Sequence, residues 1–223
     1  MTGAVVQSDE GVTLVGAGEL PPELLALALT RAPRLVAADG GADRALAAGH
    51  LPERAIGDFD SLSDAGRAAL GAARLHHIAE QETTDFDKAL RSVAAPFVLA
   101  VGFTGGRLDH TLGVFNTLAC HPQRRCLVIG PKDVCFLAPP ELSLRLAPGT
   151  RLSLFPLGSV TGQSRGLHWP IDGLAFGPDS RTGLSNRVSA PEVRLSFSAP
   201  RMLVILPVAT LDPALQAIRD ATG

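Results

Sequence analysis

The sequence predicts an α/β region with a mainly parallel sheet, followed by a region of antiparallel β-strands. Two observations carry this. Through about residue 130, short apolar runs alternate with helical patterns, which is the βα signature of a parallel sheet. After Pro139-Pro140, short alternating segments separated by Gly, Pro, Ser and Asn take over, and no helical pattern returns until the last dozen residues. The division is placed near residue 140, giving regions 1–139 and 140–223.

Val12–Val15 reads as a buried strand, followed by a helix over Glu19–Thr30 with Pro21-Pro22 in its first turn. Arg34–Ala38 is a second strand, leading through Gly40-Gly41 into a helix over Ala42–Ala48. Arg54–Gly57 is a third strand, Asp64–Ala72 a helix and Leu75–Ile78 a fourth strand. Thr84–Val93 is a helix with a threonine cap and two aspartates in its first turn, which complement the helix dipole. Phe97–Val101 is a fifth strand, and Leu108–Ala119 is a helix behind a glycine-rich turn. Arg125–Ile129 and Val134–Leu137 are further strands. The second region contributes Leu142–Leu146, Arg151–Phe155, Gly166–Ile171, Val188–Ser198 and Met202–Leu206 as strands.

Composition excludes several classes. A chain of 223 residues with 46% hydrophobic content is too apolar for disorder and long enough to bury a core without disulfide or metal staples. No window approaches roughly 18 consecutive uncharged apolar residues, so no transmembrane helix is expected. Met1–Glu10 lacks a basic flank and an apolar run, so no signal peptide is expected. Cys120, Cys126 and Cys135 form no CxxC pair and read as reduced thiols of a cytoplasmic protein. No basic run or helix face suggests a nucleic-acid partner.

Net charge is only −2, yet the charges are unevenly chosen. Lys88 and Lys132 are the only lysines, and eight of the 14 aspartates lie between Asp39 and Asp109. In parallel α/β sheets, ligands bind where the βα loops gather at the carboxyl ends of strands. Asp39, Asp58, Asp60 and Asp109 follow predicted strands, and Asp85 and Asp87 open a helix; Asp43 and Asp64 read as ordinary surface acids.

Gly57-Asp58-Phe59-Asp60-Ser61 is the most informative segment. In extended backbone, Asp58 and Asp60 would share one side and offer hard oxygens to one cation, while Phe59 turned into the core. An Asx-turn is the competing reading. Oxygen ligands without His or Cys favour Mg²⁺ over Zn²⁺, and Mg²⁺ prefers a few carboxylates plus phosphate oxygens. Beside this segment, Gln81-Glu82-Thr83-Thr84-Asp85-Phe86-Asp87-Lys88 offers a third carboxylate and a cation within one helical turn.

Phosphate cradles are available. Gly102-Phe103-Thr104-Gly105-Gly106-Arg107-Leu108-Asp109-His110 runs from a strand into a helix and exposes N–H groups to an anion, with the Arg107 fork nearby. Gly40-Gly41 and Gly16-Ala17-Gly18 make shorter turns. Neither GxGxxG nor a P-loop is present.

In order, Asp39-Gly40-Gly41-Ala42, the Gly57–Ser61 segment, the Gln81–Lys88 run and Gly105-Gly106-Arg107-Leu108-Asp109-His110 resemble the thiamine pyrophosphokinase family. The resemblance continues through Gly166-Leu167-His168-Trp169-Pro170 and Gly183-Leu184-Ser185-Asn186, so it covers most of the chain. It implies an ATP-binding α/β domain over 1–139, a thiamine-binding β-sandwich over 140–223, and a homodimer with sites at the subunit interface. The reaction it implies is Mg²⁺-dependent transfer of a pyrophosphoryl group from ATP, as co-substrate, to the thiamine hydroxyl, releasing AMP.

By this resemblance Asp58, Asp60 and Asp85 hold Mg²⁺; on chemical grounds Asp85 or Asp87 is then expected to accept the hydroxyl proton or a hydrogen bond, and Lys88 to act as a point charge for phosphate. Asp39, Gly40, Gly41, Gly105, Gly106, Arg107, Asp109 and His110 contact the nucleotide, and Gln81, Trp169, Ser185 and Asn186 contact thiamine. A cationic thiazolium suits an aromatic face, and Trp169 is the only Trp in a chain without Tyr. Two other functions compete: a Mg²⁺-dependent phosphohydrolase acting on a nucleotide, and a nucleotide-binding module without turnover. The GxSxG match at Gly162–Gly166 needs a helix after it and a later His, and neither is expected.

Overall fold

The computed structural model describes residues 4–221, so the first three residues of the Met1–Glu10 stretch lie outside the described residues. The chain forms two units, Met1–Thr117 with Val128–Pro131 and Leu118–Leu127 with Lys132–Gly223.

The first unit begins β1 (Val6–Gln7), β2 (Val12–Val15), α1 (Pro22–Leu29), β3 (Arg34–Ala38), α2 (Gly41–Ala47) and β4 (Arg54–Gly57). It continues α3 (Asp64–Leu70), β5 (Leu75–His77), α4 (Asp85–Arg91), β6 (Val93–Ala94), β7 (Val98–Val101) and most of α5 (Leu108–Cys120). Strands β7, β2, β3, β4 and β5 lie side by side in that order, all parallel. Residues 128 and 129, the end of β8 (Cys126–Ile129), flank β7. Every residue of β2 and β7 is buried, as expected of central parallel strands covered on both faces.

The order also sets the site. From β2 the chain steps outward to β5 and then returns to place β7 on the other side of β2. The loops leaving β2 and β7 therefore diverge at a topological switch point, the crevice where such sheets bind ligands.

Helix starts follow their capping residues. Ser63 accepts from the Gly66 N–H at the start of α3, and Thr84 accepts from the Asp87 N–H at the start of α4. Gly41 opens α2 for a packing reason: a Cβ there would lie 2.2 Å from the Val15 carbonyl oxygen, so only glycine lets α2 sit this close to β2. Gly18 donates to the Gly102 carbonyl at 2.8 Å, and a Cβ on either Gly16 or Gly18 would collide with that oxygen. The turns after β2 and β7 press together backbone to backbone.

The second unit contains β9 (Asp133–Leu137), β10 (Glu141–Arg145), β11 (Arg151–Pro156), β12 (Val160–Arg165) and β13 (Ala175–Phe176). It ends with β14 (Gly183–Arg187), β15 (Glu192–Phe197), β16 (Met202–Pro207) and α6 (Leu211–Asp220). Its strands pair antiparallel in the orders β10-β15-β12-β13 and β14-β11-β16-β9. On β10, Leu142 and Leu144 are buried opposite Leu195 and Val193, while Glu141, Ser143 and Arg145 face solvent.

Two expectations are corrected here. Gly166–Ile171 is not a strand; it is a turn in which Leu167 makes one isolated bridge to Val188. The strand lies just before it, at β12, where Ser164 occupies a buried position that an apolar residue would have advertised. Val188–Ser198 is not one strand, because Pro191 interrupts it and only Glu192–Phe197 joins the sheet. The GxSxG serine, Ser164, sits within β12 and accepts from the Ile171 N–H at 3.0 Å, so no nucleophile elbow forms.

Cys120, Cys126 and Cys135 form no disulfide, and burial pushes the Cys135 thiol up to about 12. Among the described residues, no helix is long and apolar enough to cross a membrane.

Candidate functional site

A cavity of about 470 Å³ opens at the switch point of the first unit. Its walls come from the turns after β2 and β7, the ends of β3 and β4, the loop before α4, and α4 and α5 themselves.

One side is acidic. Asp39 follows β3 in left-handed backbone (φ 43°) and is buried. Its Oδ2 accepts from the Ser61 backbone N–H at 3.2 Å and from the Ser61 hydroxyl, while its Oδ1 is buried with no hydrogen-bond partner. Burial raises the Asp39 carboxyl above the ordinary range, and the Ser61 hydrogen bonds only partly oppose it. Asp39, Asp58 and Asp60 each place one oxygen within 4.8 Å of the others.

The loop between Asp58 and Asp60 differs from the extended form read from the sequence. Phe59 is buried as expected, but through φ of 64° rather than strand alternation. The Asp60 N–H donates to Asp58 Oδ1 at 3.3 Å, which is the Asx-turn geometry. Arg67 donates to the Phe59 carbonyl and lays its guanidinium 5.5 Å from the ring centroid, holding the residue in this uncommon conformation.

The other side is ionic. Lys88, the largest fully buried side chain, donates to Asp58 Oδ2 at 2.9 Å and to Asp85 Oδ1 at 3.3 Å. Gln81 donates to the same Asp58 oxygen at 2.8 Å. The Lys88 hydrogen bond, against burial and aided by Gln81, holds the Asp58 carboxyl down at about 2. Burial alone would lower the Lys88 ammonium, but Asp58 and Asp85 outweigh it and keep it above the ordinary lysine value. Asp85 is raised, first by burial and then by the Asp39 and Asp58 charges, despite Lys88.

Several expected residues fall into place around this pair. Asp39, Asp58, Asp60, Gln81, Asp85, Lys88, Gly106, Arg107 and His110 line the cavity. Asp87 does not; its carboxylate lies 3.7 Å from Arg91 Nε instead. Gly40, Gly41, Gly105 and Asp109 are also outside the lining. Asp109 is exposed and gripped by Arg107 at 2.5 and 3.1 Å, which holds its carboxyl at about 2.

The second unit gathers Trp169, Ser185 and Asn186. The buried Asn186 side chain accepts from the Trp169 N–H at 3.2 Å and donates to the Trp169 carbonyl at 2.7 Å. The indole itself is 52% exposed, with Arg187 5.9 Å from its centroid and His168 edge-on at 4.4 Å. Ser185 has φ of 58° and donates its N–H to Ser153 at 2.9 Å.

Sequence reasoning missed Ser61, Thr83, Phe103 and Thr104 as lining residues, although each stands inside a motif it had singled out. Phe103 packs on Phe86 with ring centroids 4.6 Å apart, and its ring covers Gly16. An aromatic at that turn carries no spacing signal of its own.

Carboxylate oxygens of Asp39, Asp58 and Asp60 converge here with no His or Cys in the group, and Asp39 also keeps a buried oxygen, Oδ1, without a hydrogen-bond partner. This donor set fits Mg²⁺. Residues 25–129 match the family model described as thiamin pyrophosphokinase, catalytic domain, a span that holds every lining residue except Ala17 and Gly18. Over that span, just under half of the chain, the protein resembles the catalytic domain of thiamin pyrophosphokinases. It is 26% identical over 209 residues to thiamine pyrophosphokinase 1 of Oryza sativa subsp. japonica, covering 78% of this chain and 79% of that one. It is 39% identical over 89 residues to thiamine pyrophosphokinase of Bacillus subtilis, covering 37% of this chain and 42% of that protein. The fold is shared as well: the crystal structure of thiamine pyrophosphokinase from Bacillus subtilis superposes with a TM-score of 0.72 at 23% identity, over 89% of this chain and 98% of that one.

Proposed function

We propose that this chain transfers the pyrophosphoryl group of ATP to the hydroxyl of thiamine, giving thiamine pyrophosphate and AMP. The observation that carries the reading is the cavity at the switch point, where three carboxylates and a buried lysine face glycine turns suited to phosphate.

Mg²⁺ would be held by Asp39, Asp58 and Asp60, whose oxygens converge, rather than by Asp58 and Asp60 with Asp85, which bonds Lys88 instead; the ion would supply charge neutralisation for the phosphates. Lys88 fixes Asp58 in orientation and keeps it ionised. Backbone N–H groups of the turns after β2 and β7, together with Arg107, bind phosphate oxygens. Asp85 lines the cavity with its carboxyl raised, so it is better placed than Asp87 to accept the thiamine hydroxyl proton. Gln81 would meet the pyrimidine, while Asp109 acts through Arg107 rather than on the nucleotide directly.

Residues 1–139 would form the ATP domain and 140–223 a thiamine-binding sandwich in a cytoplasmic homodimer. Exposed apolar side chains support the dimer: Leu108 and Leu112 on α5, and Trp169 and Leu184 in the second unit, are groups that a partner would cover. In that assembly Trp169 presents its ring to the thiazolium, with Ser185 and Asn186 fixing the backbone around it.

The deciding experiment incubates the protein with ATP, Mg²⁺ and thiamine. AMP and thiamine pyrophosphate are expected in equal amounts. ADP as product, or AMP formed without thiamine, sinks the reading and favours a phosphohydrolase; ATP binding without turnover favours a non-catalytic module.

A second expected result concerns the ring. Trp169→Ala raises the thiamine KM about tenfold, because a cation–π contact contributes on the order of 1 kcal/mol or more. The ATP KM stays within about twofold. Equal changes in both would make Trp169 a packing residue.

A further inference from the structure

Between β5 and α4 the chain crosses the cavity rim as a loop, residues 78–84, and three of its residues (Gln81, Thr83 and Thr84) line the cavity. Glu80 does not line it, yet its carboxylate organises the loop. Oε2 accepts the N–H groups of Glu82 at 2.8 Å and Thr83 at 3.0 Å. Oε1 accepts the Thr83 hydroxyl and Arg91 Nη2, the latter at 2.7 Å. Arg91 ends α4, so the last residue of the helix is tied back across its length to the loop that precedes it.

We infer that Glu80, braced by Arg91, is a positioning residue that holds the rim loop so that Gln81 stays on Asp58. The substrate side of this inference rests on the thiamine reading above. An isolated surface ion pair contributes little. Glu80 is different, because two backbone N–H groups and a hydroxyl converge on the same carboxylate, and charge-assisted bonds of this kind fix geometry. The Thr83 hydrogen bond, with the backbone bonds and the Arg91 charge, holds the Glu80 carboxyl at about 2, so it keeps its charge throughout the neutral range.

The turn has a direct consequence at the site. Gln81 sits between Glu80 and the two residues whose N–H groups Glu80 accepts, so its backbone is fixed on both sides. With that backbone fixed, its side chain reaches Asp58 at 2.8 Å. A loosened loop costs the Gln81 contact first. It leaves untouched the Lys88–Asp58 pair and the glycine turns, which are held by other elements.

The test uses Glu80→Gln and Arg91→Met in the full chain, read by amide hydrogen exchange and by steady-state kinetics. In Glu80→Gln, exchange at the Glu82 and Thr83 amides speeds at least about tenfold, while the Lys88 amide, bonded to Thr84 within the helix, is unchanged. The thiamine KM rises about fivefold or more, while kcat and the ATP KM stay within about twofold. Arg91→Met gives a smaller change of the same kind, and at the Glu82 and Thr83 amides the double variant is no worse than Glu80→Gln alone, because Arg91 reaches the loop through Glu80. Unchanged exchange at residues 82 and 83 overturns the inference, as does a loss of kcat and both affinities in step with a fall in folded fraction. Should Glu80→Gln fail to fold, Arg91→Met carries the same readouts. Should the unaltered protein transfer nothing to thiamine, the proposed function fails, and exchange alone decides whether the clamp exists.

Discussion

Asp58→Asn lowers turnover by at least about 100-fold while the protein stays folded. The carboxylate has three donors: Lys88 at 2.9 Å, Gln81 at 2.8 Å and the Asp60 N–H at 3.3 Å. An asparagine keeps the shape and one acceptor oxygen; with that oxygen in the Oδ2 position Lys88 and Gln81 retain a partner and only the Asp60 N–H loses its own, while Arg67 on the Phe59 carbonyl and Ser61 on Asp39 still hold the loop. What disappears is the charge, at the point where Asp39 and Asp60 also converge. Pyrophosphoryl transfer involves little covalent chemistry by the protein, and positioned charge supplies most of the acceleration. Rates at saturating ATP and thiamine, with circular dichroism and thermal unfolding as controls, measure the effect. Mn²⁺ binding to the substrate-free variant, followed by the paramagnetic signal of the free ion, is expected to weaken in parallel. Activity within a few-fold of the unaltered protein would remove Asp58 from the site.

The parallel half of the fold was legible because central strands buried on both faces read as continuous apolar runs, as in Val12–Val15 and Val98–Val101. β12 and β14 were not legible. Ser164 and Asn186 fill buried positions through hydrogen bonds to the Ile171 and Trp169 backbones, so the pattern that marks a strand is polar where it should be apolar. At the site, the aspartates and their strand-end positions could be read, but tertiary pairings could not. Asp43 looked like a surface acid, yet it accepts the Ser63 N–H at 2.8 Å and the Ser63 hydroxyl at 2.7 Å, tying α2 to the start of α3. Those residues stand 20 apart, and no spacing rule connects them. The left-handed backbone at Asp39 and Phe59 was hidden for the same reason: Ser61 and Arg67, not local preference, hold it.

Lys88→Met is expected to lower both stability and turnover, and the stability loss separates the lysine's two duties. Lys88 is 2% exposed and lies between Asp58 and Asp85. Removing one member of a buried ionic group leaves the others uncompensated, at a cost of about 3–5 kcal/mol when burial is complete. The Asp85 side chain is 37% exposed, and water moderates the effect, so roughly 2–3 kcal/mol is expected here. For a chain of this size that is a fall in melting temperature of roughly 5–10 °C. The acid end of the stability profile changes as well. Asp58 lies at about 2 in the folded protein, below its ordinary value of 3.8, so its contribution is present above that value and fades as pH falls toward 2. The Lys88 hydrogen bond is the main cause of that depression, so in Lys88→Met the profile between pH 4 and pH 2 flattens. Adding Asp58→Asn removes the uncompensated charge, so the double variant regains part of the lost stability while its turnover stays at the level of Asp58→Asn or below. Additive stability losses in the double variant would mean that Lys88 packs beside Asp58 without supporting its charge.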